Sequence, residues 1–245
     1  MNGRTMSSQA TPTASPITRS YYDQTYYNKH EQRLKHGDRF TKVKVTRVFS
    51  LLNPRKGEFL LDLGSGVGTI MIALTQAGAR TVGLDYSQKS LLIAKGHFKG
   101  RLPEAPFNGA CSDGRAMGLK SGVFDGVAAI DFTEHLDDEL LVSTISEVYR
   151  ILKKGGRFVV YTPSVTHIFE KLKKRNIILK EDKSHIGLRT MKEYKTMLVK
   201  AGFALERSYF RPTDIPIFNA LETLFMRLPF IGNLAKRRIC ICAVK

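Results

Sequence analysis

Leu60-Leu61-Asp62-Leu63-Gly64-Ser65-Gly66-Val67-Gly68-Thr69 joins an apolar run to a helical pattern through three glycines spaced two apart. The run Phe59 to Leu61 reads as a buried strand, and Thr69 to Ala77 carries helical periodicity. A glycine turn in this position leads the chain sharply out of a strand, lets a ligand touch the backbone, and lets the next helix pack close to the sheet. It is expected to direct N–H groups and a helix N-terminus at whatever binds there. An acid follows about 20 residues on, at Asp85, as nucleotide-binding folds require.

Downstream, strand and helix patterns alternate. Helix 69–77 is followed by strand 80–84 and by helix 88–97, which Ser87 opens as N-cap. A short strand near 107–111, strand 124–130 and helix 138–152 come next. Lys153-Lys154-Gly155-Gly156 reads as the stop of that helix, and strand 157–162 ends at Pro163. Alternation of this kind predicts parallel strands with crossover helices, a doubly wound α/β sheet. Between 164 and 183 the pattern changes. Ile168, Phe169, Leu172, Ile177, Ile178 and Leu179 mix with Lys171, Lys173, Lys174, Arg175 and Lys180, which reads as a cap insertion reaching to about 189. Helix 190–201, strand 203–210, a second apolar and basic segment at 214–235, and strand 239–244 complete the chain.

Upstream, residues 1–18 are rich in Ser, Thr, Ala and Pro and read as a disordered tail. The cluster Tyr21, Tyr22, Tyr26 and Tyr27 reads either as packing or as a cover across the mouth of the glycine-loop site. A helical pattern over about 30–52 stops at Asn53-Pro54. The expected organisation is one domain over 19–245, with a helical region at 19–56.

A chain of 245 residues that is 42% hydrophobic supports one domain of this size with a cap. Cys111, Cys240 and Cys242 show neither metal-site nor disulfide spacing, and Cys240 and Cys242 fit one face of a strand. No apolar run reaches the ~20 residues of a membrane span, and the first residues lack the apolar core of a signal peptide. A reduced, cytoplasmic setting is expected. The net charge of +17 implies attraction to an anionic partner (nucleic acid, acidic membrane surface or acidic substrate) or else a basic, inert surface.

Asp85 stands where a carboxylate accepts both hydroxyls of a ribose, which suits NAD and S-adenosylmethionine (SAM) alike. Asp62 precedes the first glycine by two, giving Asp-x-Gly-x-Gly-x-Gly rather than the Gly-x-Gly-x-x-Gly that sets a pyrophosphate on the helix end. Asp113, after the third strand, is placed to accept from an adenine amino group.

With these features the chain resembles the class I SAM-dependent methyltransferases, from about Tyr21 to Lys245. The matching motifs are Leu61 to Thr69, Gly83-Leu84-Asp85-Tyr86-Ser87, Cys111-Ser112-Asp113-Gly114, Phe124-Asp125-Gly126-Val127, Glu134-His135-Leu136 and Arg150 to Phe158. The resemblance implies a Rossmann-like doubly wound seven-stranded sheet, parallel with an antiparallel terminal strand and helices on both faces. It implies that Gly64, Ser65, Gly66 and Gly68 surround the methionine part of SAM. Asp85 and Tyr86 would lie at the ribose, Asp113 and Gly114 at the adenine, and Asp131 and Phe132 at the methyl-donor end.

Asp131-Phe132-Thr133-Glu134-His135 further resembles the Glu-x-x-Glu-His of ubiquinone-pathway O-methyltransferases, whose positions hold magnesium. Here the first acid is Asp, one methylene shorter. No metal is expected; Asp131, Glu134 and His135 are the residues that would hold one. Glu134 and His135 are then a structural cap or the acid/base of the substrate pocket. His185, just before helix 190–201, is the other candidate base for O- or N-methylation.

The expected activity is methyl transfer from SAM to an O, N or C atom of a small-molecule or lipid-like acceptor, of quinone type at a membrane surface. The basic, apolar stretches 164–183 and 214–235 suit peripheral contact with anionic lipid, or they simply cap the sheet. An RNA methyltransferase using the basic surface and a non-catalytic SAM-binding protein stay open. An NAD-dependent oxidoreductase is disfavoured by the loop spacing.

Overall fold

The computed structural model describes residues 39–174, 184–213, 216–229 and 232–245. The tail at 1–18, the tyrosine cluster, the helical pattern before residue 39 and the stretch 175–183 of the insertion lie outside the described residues.

Among the described residues seven strands form one sheet: β1 (Phe59–Leu63), β2 (Arg80–Asp85), β3 (Gly109–Cys111), β4 (Phe124–Ile130), β5 (Leu152–Pro163), β6 (Ala204–Arg211) and β7 (Arg238–Val244). Their order is β3-β2-β1-β4-β5-β7-β6. The five strands from β3 to β5 pair in parallel, and β7 runs antiparallel between β5 and β6. The helices are α1 (Arg39–Leu52), α2 (Thr69–Gln76), α3 (Gln88–Arg101), α4 (Asp138–Ile151), α5 (Ile168–Lys174), α6 (Met191–Lys200), α7 (Pro216–Phe225) and α8 (Gly232–Ala235). The doubly wound sheet expected from the sequence is the one observed.

Alternation along each strand divides the core in two. Leu61 and Leu63, Val127 and Ala129, Phe158 and Val160, and Ile239 and Ile241 face α4 and α6. Leu60, Ala128 and Ile130, Val159 and Tyr161, and Cys240 and Cys242 face α1 and α2. Because both faces are covered, the strands read in sequence as unbroken apolar runs. Val48, Leu51 and Leu52 of α1 supply part of the second core, so the helix before the glycine loop is integral to the sheet packing. Cys240 and Cys242 are core residues, whereas Cys111 is exposed.

Local signals hold where side chains cap helices. Ser87 accepts from the Ser90 N–H at 3.2 Å, and Asp137 does the same for α4 from Leu140 at 2.8 Å. One boundary differs. Lys153 to Gly156, read as a helix stop, belongs to β5, because Leu152 already pairs with Phe124 before a register shift. Gly155 takes φ +77° there, and Lys153 pairs with Asp125. Among the described residues no helix is long and apolar enough to cross a membrane.

Candidate active site

The strand order reverses between β1 and β4, so the connections leaving their C-terminal ends part in opposite directions and open a crevice. A cavity of about 470 Å³ lies there, walled by the glycine loop, the ends of β2 and β4, and the start of α4. Gly64, Ser65, Gly66, Asp85, Tyr86, Asp113, Gly114, Asp131, Phe132 and His135 all line it. Gly68 does not: it faces α3, where a Cβ would lie 3.1 Å from that of Ala94. Of the glycine roles, Gly68 serves helix packing.

The loop departs from expectation in its hydrogen bonds. The N–H groups of Gly64 and Ser65 both donate to the Leu84 carbonyl, at 2.8 and 3.0 Å. That of Gly68 donates to Ser65, and that of Gly66 to the Asp85 carboxylate at 2.8 Å. At the start of α2 the Met71 N–H donates to Asp62 at 2.9 Å. The N–H groups of Gly64, Ser65, Gly66 and Gly68 are thus engaged within the protein rather than turned to a pyrophosphate. Gly64 is required for a different reason. It sits at φ +75°, and a Cβ there would lie 2.4 Å from the Phe132 ring. The ring is laid on the loop by Asp131, which takes φ +50° at the end of β4.

Charge in the cavity runs against charge on the molecule. Asp62, Asp85, Asp113, Asp131, Asp137 and Glu139 line it, and among the described residues only Lys44 and Arg115 oppose them. Within a protein of net charge +17, this crevice favours a cationic ligand. Burial lifts the Asp62 carboxyl to about 7 against the lowering effect of the Met71 N–H, and the nearby Asp85 charge adds to the lift. Asp85 also accepts from the Ser87 N–H at 2.8 Å. The Arg115 guanidinium grips Asp113 through both oxygens and holds its carboxyl below the usual range, against the raising effect of burial.

Asp131 is the residue whose surroundings differ most from expectation. Its burial alone would raise its pKa, but the Arg238 guanidinium and the Lys44 ammonium, the latter at 2.5 Å, hold the carboxyl well below the usual carboxylate range. An aspartate clamped between two cations is not part of a metal cluster with Glu134 and His135. The residues that come together are Glu134, His135 and His185, with ligand atoms all within 4.8 Å of one another. Two imidazoles and a carboxylate form a transition-metal donor set rather than an oxygen cage for magnesium.

The histidines are held by the last part of the insertion, from residue 184 to 189. His135 lies on a short 3-10 turn, Thr133–His135, and its Nδ1 is 2.9 Å from the Ser184 carbonyl. A carbonyl only accepts, so Nδ1 carries the proton and Nε2 is the basic nitrogen of the neutral ring. His185 packs edge-on against His135, centroids 5.2 Å apart, with its Nδ1 3.9 Å from Glu170. Burial would raise Glu170, but His185 and Lys173 bring its carboxyl down to about 2. Glu134 is fully buried and accepts from the Thr162 hydroxyl at 2.9 Å, behind the cavity wall rather than on it. His135 alone of the three candidate bases reaches the cavity.

Two residues lock this segment in place. Arg189, buried, donates to the carbonyls of Thr133, Leu136 and Gly187 at 3.2, 2.8 and 2.6 Å and pairs with Asp138. The Gly187 N–H donates to Glu134 at 2.9 Å, and a Cβ at Gly187 would lie 1.8 Å from the Leu136 carbonyl oxygen. Lys44 and Arg238 carried no sequence signal, because each meets Asp131 only across the fold, and the same holds for the contacts of Glu170 with His185 and of Arg189 with Thr133, Leu136 and Asp138. Arg115 had one: a cation two residues after Asp113.

Comparison with known proteins agrees with this geometry. The family described as Methyltransferase domain matches residues 61–160. The chain is 27% identical over 216 residues to 24-methylenesterol C-methyltransferase 2 of Oryza sativa subsp. japonica, covering 82% of this chain and 59% of that protein. It is 36% identical over 117 residues to demethylmenaquinone methyltransferase of Thermus thermophilus, covering 46% and 51%. It thus spans little more than half the length of these curated relatives. Among solved structures, magnesium protoporphyrin IX methyltransferase of Synechocystis PCC 6803, which has SAH bound, superposes with a TM-score of 0.69 at 19% identity, over 93% of this chain and 97% of that one. Residues 61–160 match the methyltransferase domain family, and the chain has the fold of the solved methyltransferase it superposes on.

Proposed function

We propose that this protein binds SAM in the crevice at the ends of β1, β2 and β4 and transfers its methyl group to a small-molecule acceptor. The observation that carries the reading is an acidic cavity, with the N–H groups of its three loop glycines and Ser65 engaged within the protein, inside a strongly basic chain. A sulfonium and an ammonium suit such a site; the pyrophosphate of NAD and the backbone of RNA do not. Relatives named for sterol and menaquinone methylation support a small, apolar acceptor.

Asp85 would take the ribose hydroxyls at the end of β2, and Asp62 would face the cationic end of SAM beside Gly64. Phe132 would cover the loop. Bound there, SAM supplies an electrophilic methyl group. His135 Nε2 is the base that would take the proton an acceptor hydroxyl or amine gives up, with His185 and Glu170 behind it. Asp131, neutralised by Lys44 and Arg238, would shape the acceptor end without acting as a base.

Replacing Asp85 with alanine removes the carboxylate that holds both the loop and the ribose. Calorimetric titration is expected to show SAM affinity falling about 100-fold, the equivalent of two bonds to a charged group. Unchanged affinity would remove Asp85 from the site.

Asp62 gives a pH signature. A carboxyl that titrates near 7 must ionise to meet a cation, so SAM binding releases a proton. Affinity is expected to rise with pH up to about 7, by a factor approaching about 10 per unit, and to level off above. Titrations in two buffers of different protonation enthalpy count the proton. Asp62→Asn should abolish its release; release unchanged in that variant would assign the proton elsewhere.

A further inference from the structure

The helix α7 is turned inside out. Phe218, Leu221, Leu224, Phe225 and, just beyond the helix, Leu228 fall on one side at helical spacing and are 40 to 60% exposed. The other large apolar residues exposed among the described residues, such as Leu92 and Val142, are scattered over other elements. The side of α7 turned to the protein is polar. Asn219 donates to the Thr213 carbonyl at 2.7 Å. Glu222, buried, accepts from the Thr213 N–H at 2.5 Å and from His167 at 3.3 Å. His167 Nδ1 takes the Phe169 N–H, so Nε2 carries the proton given to Glu222. Rolling the helix to bury its leucines would break these bonds, so its outward apolar face is fixed by polar anchoring.

The charge beside this face has one sign. In the described parts of 164–174 and 216–238, the carboxylates are Glu170 and Glu222, and both are buried. The cations there include Lys171, Lys173, Arg227, Lys236, Arg237 and Arg238, of which Lys173 pairs with Glu170 and Arg238 with Asp131. Lys171 and Arg227 are exposed. Contacts of His167 with Glu222 and of Arg237 with the Phe169 ring tie the two segments into one surface.

We infer that the outward face of α7, with Leu228 and the flanking cations, docks on an anionic lipid bilayer. Aliphatic side chains enter the acyl boundary while lysine and arginine meet the head groups, which is how an interfacial helix binds without crossing. A second copy of the chain fits poorly, since a symmetric contact would set these cations against their own images. The surface also leads to the cavity: β7 begins at Arg238, which holds Asp131 at the cavity wall.

Co-sedimentation with phosphatidylcholine vesicles, with and without phosphatidylglycerol, tests this without SAM and so independently of the methyltransferase reading. The full chain is expected to sediment with the anionic vesicles and to be released by salt. Leu224→Glu should weaken partitioning by about tenfold or more, the effect of losing one buried leucine. Arg227→Glu should weaken it and flatten its salt dependence, and Leu92→Glu on α3 should leave it unchanged. The inference is overturned if the chain stays in solution beside anionic vesicles, or if Leu224→Glu binds as the parent does. It is overturned also if the variant instead dissolves a concentration-dependent dimer, which would give the face to a second copy.

Discussion

His135→Gln is expected to lower kcat by about 100- to 10,000-fold, the range for losing a positioned base, while SAM affinity stays near that of the parent. Glutamine keeps an N–H that can donate to the Ser184 carbonyl, so the turn at Thr133–His135 need not move. What it removes is the basic nitrogen at the cavity wall. A fallen rate beside unchanged SAM affinity separates this role from a structural one. The measurement is single-turnover methyl transfer from labelled SAM to acceptors in a lipid extract, with SAM affinity read by calorimetry. A variant that keeps its rate would pass the role to another group. His185→Gln should cost less, because His185 stands behind His135 rather than on the cavity.

Arg189→Met carries the largest expected loss of stability. The side chain fills similar space but leaves the carbonyls of Thr133, Leu136 and Gly187 without their donor. Buried acceptors stranded in this way, with an ion pair broken, cost about 3 to 5 kcal/mol. In a chain of this size that lowers the thermal midpoint by about 10 °C. Activity should fall further than stability, because the same three carbonyls position the turn that bears His135. Arg189→Lys should recover part of the loss, since an ammonium donates but lacks the fork. Thermal unfolding followed by circular dichroism reads both. A midpoint for Arg189→Met equal to the parent's would show that the carbonyls find other donors.

The fold was legible because its signals are local or simply periodic. Leu60 to Thr69 gives strand, turn and helix within ten residues, and covered strands such as Val127 to Ile130 appear as apolar runs. The cap at Ser87 acts on a residue three positions away. What was not legible depends on sheet order. Asp131 meets Lys44 from α1 and Arg238 from β7, 107 residues on, and no spacing rule joins such partners. For that reason Asp131 read as a neighbour of Glu134 and His135, and the actual cluster took His185 instead. Spacing also cannot give the direction of an amphipathic face. The 214–235 segment carries an apolar helical stripe, and only the anchoring of Asn219 and Glu222 turns it outward. In the glycine loop, the residues predicted where the backbone turns, but not that its N–H groups would be used by Leu84, Ser65 and Asp85.

That last point separates the proposed ligand from its nearest competitor. Calorimetric titration of the protein with SAM, repeated with NADH, is the most direct test of the crevice. One SAM should bind per chain, displaced by S-adenosylhomocysteine and tightening as pH rises to about 7, with no heat from NADH. Binding of NADH, or no binding of SAM at any pH, would contradict the assignment of this acidic cavity to a sulfonium ligand.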